Sequence, residues 1–364
     1  MNAVTRLLRL SAAPALALAF SMAVTAVVLA VSGHPPLGTL RSMVEYAGRR
    51  NTQVLIVNSA MSYYIAAVAV AVCFRMRLLN IGIDGQYRLG ALAAATVGGY
   101  LALPAPIHLV LIVGAAMLAG AAWALIAAVL KVRRGVSEII STIMLNYIAT
   151  GIVAYLLQPG RLAEVVPGSN NIGTPEIPPS VRIPGISIPG ATQPILGLGV
   201  IAIVVGVAYW YVVNRTTYGF DLRATGSSRD AALASGVNVR RMIITTMLVS
   251  GATAGLIGLP LLLGRTYTYS LDFPAGVAFT GIAIALLGRN HPIGIAAAAL
   301  LFGFLDNANQ ILALNGIPKE IINITQGTIV ISVVVSYEFV RRRATRAEQR
   351  MVGRSAPALA ASVS

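Results

Sequence analysis

Apolar runs long enough to cross a lipid bilayer recur along almost the whole chain, and no other feature limits its possible folds so severely. Inside a bilayer every backbone amide must find its partner within the protein, so such runs are read as helices packed on one another. One crossing takes about 20 residues. Ten candidate spans are read at Ala13–Val31, Val54–Phe74, Leu89–Leu103, Ile107–Leu130, Ile139–Leu157, Ile195–Val213, Met242–Leu263, Phe273–Leu287, Ile293–Leu305 and Ile321–Phe339. Composition agrees, since 57% of the 364 residues are hydrophobic and 11% charged, with a mean hydropathy of +0.78. The expected fold is an all-α polytopic membrane protein: a transmembrane region over 1–340 and an Ala- and Ser-rich tail, 341–364, expected to fray.

Ten crossings return both termini to one side, and the positive-inside rule makes that side cytoplasmic. Of the 27 Lys and Arg, only Arg41, Arg49, Arg50, Arg161, Arg182, Arg265 and Lys319 then lie outside. The formal charge of +15 follows from this topology and from contact with anionic membrane lipid, and calls for no nucleic-acid surface. Arg6 and Arg9 before the first span resemble a signal peptide, but the length of the run favours a retained anchor. The single cysteine, Cys73, excludes an intramolecular disulfide. His34, His108 and His291 fall in loops without metal-ligand spacing, so no catalytic group, metal or cofactor is expected.

Two loops stand out. Residues 214–241 are polar yet helix-competent, with Tyr218 and Phe220 near the membrane and Ser227-Ser228-Arg229-Asp230 forming a capping box in which Ser227 caps and Asp230 reaches back. Ala231, Ala232, Leu233 and Ala234 propagate a helix that Gly236 stops. A helix of two or three turns is marginal in water, so a docked partner surface competes here with a solvated linker. The outer loop 158–193 holds Pro167, Pro175, Pro178, Pro179, Pro184 and Pro189, which exclude a helix and favour an ordered, extended cap. Elsewhere Glu138 suits a helix N-terminus, Gly251, Gly255 and Gly258 suit close helix packing, and Trp123, Tyr209, Trp210 and Tyr211 are placed as span-end anchors.

Two stretches interrupt the helical pattern at membrane depth. Leu78–Gln86 brings Asn80, Asp84 and Gln86 together with Gly82 and Gly85, and Gly281–Leu287 runs into Gly288-Arg289-Asn290-His291-Pro292. Such breaks survive only where protein or a water-filled cavity satisfies the freed amides. With five spans per half, inverted halves are geometrically permitted, and paired breaks in inverted halves point to a central route for cargo.

The strings FRMRLLNIGIDGQYRLGALAAA, GVSEIISTIMLNYIATGIVAYLL, LRATGSSRDAALASGVNVRR and GIAIALLGRNHPIGIAAAALLFG resemble the permease subunits of ABC importers of the branched-chain amino acid and simple-sugar superfamily. Ser137 to Ala149 is most similar to the nucleoside-importing branch, which depends on a basic membrane lipoprotein. The resemblance runs from about Leu55 to Tyr337. It implies a bacterial inner-membrane subunit working with a second, related permease chain, a cytoplasmic ATP-binding subunit and an extracellular substrate-binding lipoprotein. Thr225–Asn238 would be the coupling helix, with Thr225, Gly226, Ser227, Asp230, Ala231, Ala232 and Gly236 docking in the ATPase. The family's glutamate after the Gly-Ile-Gly-like turn is Asp84 here. No GxxxxGK[ST] phosphate loop is present, so ATP hydrolysis belongs to the partner.

The translocation path is assigned to Asn80, Asp84, Gln86, Asn146 and Asn290. No Lys or Arg falls mid-span in this reading, and a path without fixed charge suits an uncharged nucleoside, or a sugar such as ribose or galactose, better than a zwitterion. Taken singly, each amide is as readily interhelical glue, as are Asp306, Asn307, Asn309 and Gln310 after the ninth span and Asn323 and Gln326 in the tenth. An ion-coupled secondary transporter would need buried carboxylates, for which Asp84 and Asp306 are the candidates.

Overall fold

The computed structural model describes residues 20, 23, 24, 26–165, 172–318, 320–329, 331, 332 and 335. The start of the first expected span, the end of the tenth and the tail 341–364 lie outside them. The chain divides into two units, Tyr46–Asn307 and a second made of Met1–Glu45 with Ala308–Ser364.

The helices are α1 (Pro36–Ala47), α2 (Arg50–Phe74), α3 (Ile83–Tyr100), α4 (Ala105–Arg134), α5 (Glu138–Leu156), α6 (Val200–Arg215), α7 (Thr217–Ser227), α8 (Arg229–Ala234), α9 (Val239–Gly255), α10 (Val277–Leu287) and α11 (Pro292–Leu314). Six described helical stretches are long and apolar enough to cross a bilayer: α2, α4, α5, Gly197–Arg215, Val239–Thr266 and α11. The protein is therefore an all-helical, multi-pass membrane protein.

Local sequence explains the helix limits. Pro106 opens α4, where a missing N–H costs nothing. Its last turn carries Lys131, Arg133 and Arg134 against the negative end of the dipole, and Gly135 closes it at φ 68°. Lys131 then pairs with Glu138 in the first turn of α5. In the smaller unit, Gly316 at φ 72° ends α11, with Ile317 N–H on Leu312 O at 2.9 Å and Gly316 N–H on Ala313 O at 3.1 Å.

The centre of the larger unit is α9 packed between α4, α3 and α2. Lipid supplies no hydrophobic drive between helices, so close backbone approach has to hold them. A Cβ on Gly255 would lie 2.0 Å from Ala116 O, and one on Gly120 would lie 2.2 Å from Gly251 O. The expected packing role of Gly251 and Gly255 is met by these contacts. Beyond α9 the chain bends through Leu259–Leu261 into a π-helical turn, Leu262–Thr266.

Several boundaries differ from expectation. α3 begins at Ile83 rather than Leu89, which brings Arg88 into its first half. α11 continues to Leu314, so Asp306 and Asn307 lie within it; Asp306 accepts from Tyr63 Oη at 3.0 Å, and Asn307 donates to Ser59 Oγ at 3.1 Å. The second break precedes α10, at Leu271–Gly276, and Gly281–Leu287 is regular helix. Trp123 and Tyr209 are not span-end anchors: Trp123 donates to Leu145 O across α4 and α5 at 3.2 Å, and Tyr209 is buried. His108 lies in the first turn of α4, bonded to Val97 O at 3.1 Å, rather than in a loop.

The Pro-rich loop is ordered where it is described. Glu164–Val165 (β1) pairs antiparallel with Ile172–Gly173 (β2). Thr174 and Tyr269 exchange two bonds at 3.0 Å, and Ile177 N–H reaches Tyr267 O at 2.9 Å. These bonds pin the loop onto the segment that leads to α10.

Candidate functional site

After α2 the chain does not leave the bundle. Residues Leu78–Gly82 turn back inward as irregular backbone, and freed backbone groups there are met by side chains, those of Thr142 and Asn146 from α5 and that of Asn80 from the break itself. Asn80, 1% exposed, uses its full bonding capacity. Its Nδ2 donates to Gln86 Oε1 and Ser250 Oγ, each at 2.9 Å, and its Oδ1 accepts from Gln86 Nε2 at 3.0 Å and Gly82 N–H at 3.1 Å. Ser250 in turn donates to Ala69 O at 2.7 Å. Asn146 Nδ2 donates to Ile81 O at 2.8 Å, and its Oδ1 accepts from Gly85 N–H at 2.9 Å. Ser250 lies eleven residues into α9, a rise of about 17 Å at 1.5 Å per residue, so this knot sits about half-way through a bilayer core of ~30 Å.

α3 therefore starts at mid-depth, and so does α10. With 11 residues, α10 spans about 16 Å, half of a bilayer core. Its N-terminus meets the first turn of α3, where Gly276 N–H donates to Asp84 Oδ2 at 3.2 Å. The same oxygen lies 3.6 Å from Arg88 Nε, one helical turn on. Among the described residues, Asp84 Oδ1 is buried without a partner. Tyr87, Phe273 and Tyr269 form an aromatic wall beside this pair, with ring centroids 6.0 Å and 4.8 Å apart in succession. Leu271, Pro274 to Gly276 and Phe279 remain exposed, the last 64%.

The five expected path residues thus separate. Asn80, Gln86 and Asn146 hold the broken backbone, Asp84 stands at the meeting of the two helix ends, and Asn290 lies apart. Asn290 is in the turn between α10 and α11, where its carbonyl accepts from Arg75 Nη2 and Tyr209 Oη, each at 2.8 Å. The expectation of no cation within a span fails at Arg88. Arg88 falls within the helix because α3 starts at the polar break, six residues before the uninterrupted apolar run that begins at Leu89.

The polar loop 214–241 forms two helices where one was expected. Tyr218 and Phe220 belong to α7, whose hydroxyl cap is Thr216, accepting from Gly219 N–H at 3.1 Å. Tyr218 Oη lies 3.0 Å from Thr246 Oγ1, and burial pushes its phenol up from the ordinary value, so it stays protonated. The cap of α8 is Ser228, not Ser227: Ser228 Oγ accepts from Ala231 N–H at 3.3 Å, and Ser227 is the last residue of α7. Gly236 at φ 84° stops the helix, with Val237 N–H on Ala232 O and Gly236 N–H on Leu233 O, both 3.0 Å. Thr225, Gly226 and Ala232 are buried within the chain, and Ala232 is 2% exposed. Ala232 therefore cannot insert into a partner. Ser227, Asp230, Ala231 and Gly236 are exposed, together with Leu233 at 57%. Leu233 is thus an apolar side chain left open to solvent on a polar helix.

The sequence pattern of the branched-chain amino acid transport system permease component matches residues 53–334. The chain is 35% identical to the guanosine ABC transporter permease protein NupP of Bacillus subtilis over 339 residues, covering 89% of this chain and 93% of that one. It is 33% identical to the glucose ABC transporter permease protein TsgB13 of Haloferax volcanii (84% and 81% covered) and 29% identical to the nucleoside ABC transporter permease protein NupB of Lactococcus lactis (89% and 90%). No solved structure matches the chain. The chain belongs to the branched-chain amino acid transport system permease family, whose members are membrane-spanning ABC transporter subunits and not themselves enzymes.

Proposed function

We propose that this subunit carries nucleosides into a bacterial cell across the inner membrane. The observation that carries the reading is its 35% identity, over most of both chains, to a permease named for guanosine, joined by the nucleoside permease NupB. In this reading the chain has ten spans in two inverted five-helix halves with both ends cytoplasmic. The meeting of α3 and α10 at mid-depth supports it, because broken helices with converging N-termini are how inverted-repeat transporters build a central site. Cargo passes along Asp84, Arg88 and the exposed residues Leu271 and Pro274 to Gly276, while Asn80, Gln86 and Asn146 keep the break in shape. The exposed faces of α7 and α8, with Leu233 at their centre, dock on a cytoplasmic ATPase. A second, different permease chain and an extracellular substrate-binding lipoprotein complete the importer.

A simple sugar is the second reading, favoured by the 33% identity to a glucose permease. Uptake of labelled guanosine and uridine by cells with and without the chain separates the two. Loss of uptake on deletion, with competition by nucleosides but not by glucose, ribose or leucine, is the expected result. Competition by glucose or ribose alone would move the cargo to sugars.

A further inference from the structure

We propose that Arg75 is a positioning residue that ties α7 and α8 to α10, so that α10 acts as a lever whose far end opens and closes the break beside Asp84. The inference rests on the reading of α7 and α8 as the helices that dock on the ATPase.

Arg75 stands where three structural elements meet. Its backbone carbonyl lies under α7, close enough that a Cβ on Gly226 would fall 2.1 Å from it. Thr246 Oγ1, bonded to Tyr218 of α7, also reaches Met76 Sδ at 3.5 Å. A shift of α7 must therefore displace residues 75 and 76. The guanidinium faces the other way: Nη2 donates to Asn290 O at 2.8 Å and Nε to Tyr209 Oη at 3.2 Å, and Tyr209 Oη donates to the same Asn290 carbonyl at 2.8 Å. Among the described residues no carboxylate pairs with Arg75. Its charge is instead set against the carbonyl-rich end of α10, where a cation is favoured.

Backbone strain brackets this linkage. Arg77, Arg289 and Asn290 have φ of 56°, 54° and 54°, left-handed values that residues with a Cβ keep only where their surroundings enforce them. Two of the three lie in the turn that Arg75 and Tyr209 grip. α10 is a short regular helix packed on α2, and its N-terminal end carries the Gly276 bond to Asp84. Pro274 to Gly276 are exposed, and Gly276 is tied to Asp84 by that bond. A planar guanidinium bridges two acceptors at fixed spacing, which an ammonium cannot reproduce.

The test uses the assembled transporter in vesicles, with Arg75→Gln and Arg75→Lys. Uptake is measured per ATP hydrolysed, and Ala275→Cys is alkylated with and without ATP and vanadate. Cys73 is fully buried and gives little background. In the native complex nucleotide trapping should change the alkylation rate. In R75Q that response should vanish and uptake per ATP should fall about tenfold, within the usual range of coupling between sites, with native amounts of chain and of bound ATPase. R75K should fall between the two. A native coupling ratio in R75Q, or alkylation indifferent to nucleotide in the native complex, would overturn the lever. A nucleotide response lost in R75Q, in a complex that carries sugar rather than nucleoside, would support the lever and remove only the cargo assignment.

Discussion

Replacing Asn80 by Leu, a side chain of similar shape, should unfold the break rather than merely change what passes it. The substitution strands three buried groups: both ends of the Gln86 amide and the Gly82 N–H. Ser250 keeps its bond to Ala69 O. Side-chain hydrogen bonds in membrane proteins average about 0.6 kcal/mol and reach about 1.7, so the four bonds lost, that to Ser250 included, amount to roughly 2–7 kcal/mol. Titration of the purified chain with denaturing detergent, followed by tryptophan emission, measures this, because Trp123 bridges α4 and α5 next to the knot. The decisive comparison is with Asn80→Leu/Gln86→Leu. Removing both amides leaves one stranded group, the Gly82 N–H, so the double variant should be more stable than Asn80→Leu alone. A double variant destabilised by the sum of the two singles would refute the reciprocal amide pair. Native stability in Asn80→Leu with uptake abolished would return Asn80 to the cargo path.

Leu233→Glu should leave the chain folded and abundant but sharply reduce ATPase copurification, whereas Ala232→Arg should lower the folded yield itself, since Ala232 is 2% exposed. Gly255→Leu should cost at least about 1–3 kcal/mol by detergent titration, because its Cβ meets backbone at 2.0 Å, while Gly151→Ala, with open space around it, should be neutral or slightly stabilising. Asp84→Glu should keep uptake, since the longer carboxylate still reaches Gly276 N–H and Arg88. Arg88→Met should lose it at least tenfold, by removing the counter-charge of a buried carboxylate, a loss worth more than 1.4 kcal/mol; uptake at native rates in Arg88→Met would dismiss the pair.

What could be read from the sequence was what bilayer physics dictates locally. Apolar runs located the helices, Gly236 located the end of α8, and the glycines of α9 located the tight seam. Ends set by tertiary partners were misplaced. Ser227 and Ser228 are equivalent as caps by pattern, and only the preceding helix α7, which takes Ser227, decides for Ser228. The start of α3 was hidden because Ile83–Arg88 reads as a polar loop until Asn146 of α5 accepts from Gly85 N–H and Asn80, itself held by Ser250 of α9, pairs with the Gln86 amide. Asn290 and Asn80 look alike as amides beside breaks, yet one offers its carbonyl to Arg75 and the other its whole side chain to Gln86.

The charge argument for cargo also changes form. A path free of fixed charge is not what the bundle contains, since Asp84 and Arg88 face each other at its middle. The pair is self-neutralising, and Asp84 Oδ2 is further held by the N–H at the start of α10, where a helix end favours a carboxylate. A charged cargo would have to compete with a partner already 3.6 Å away, at the desolvation cost that buried ions carry. An uncharged cargo need not break the pair at all. It needs only an acceptor for a hydroxyl or N–H, which Asp84 Oδ1, buried and without a partner among the described residues, would supply once the break opens. The rings of Tyr87, Phe273 and Tyr269 beside it are buried and packed on one another, so they shape this end of the break rather than present faces to cargo. A nucleoside and a sugar both carry hydroxyls that can use such an acceptor, so the pair selects against charge and not between these two cargoes. An uncharged cargo is thus favoured through a preserved ion pair, not through the absence of charge.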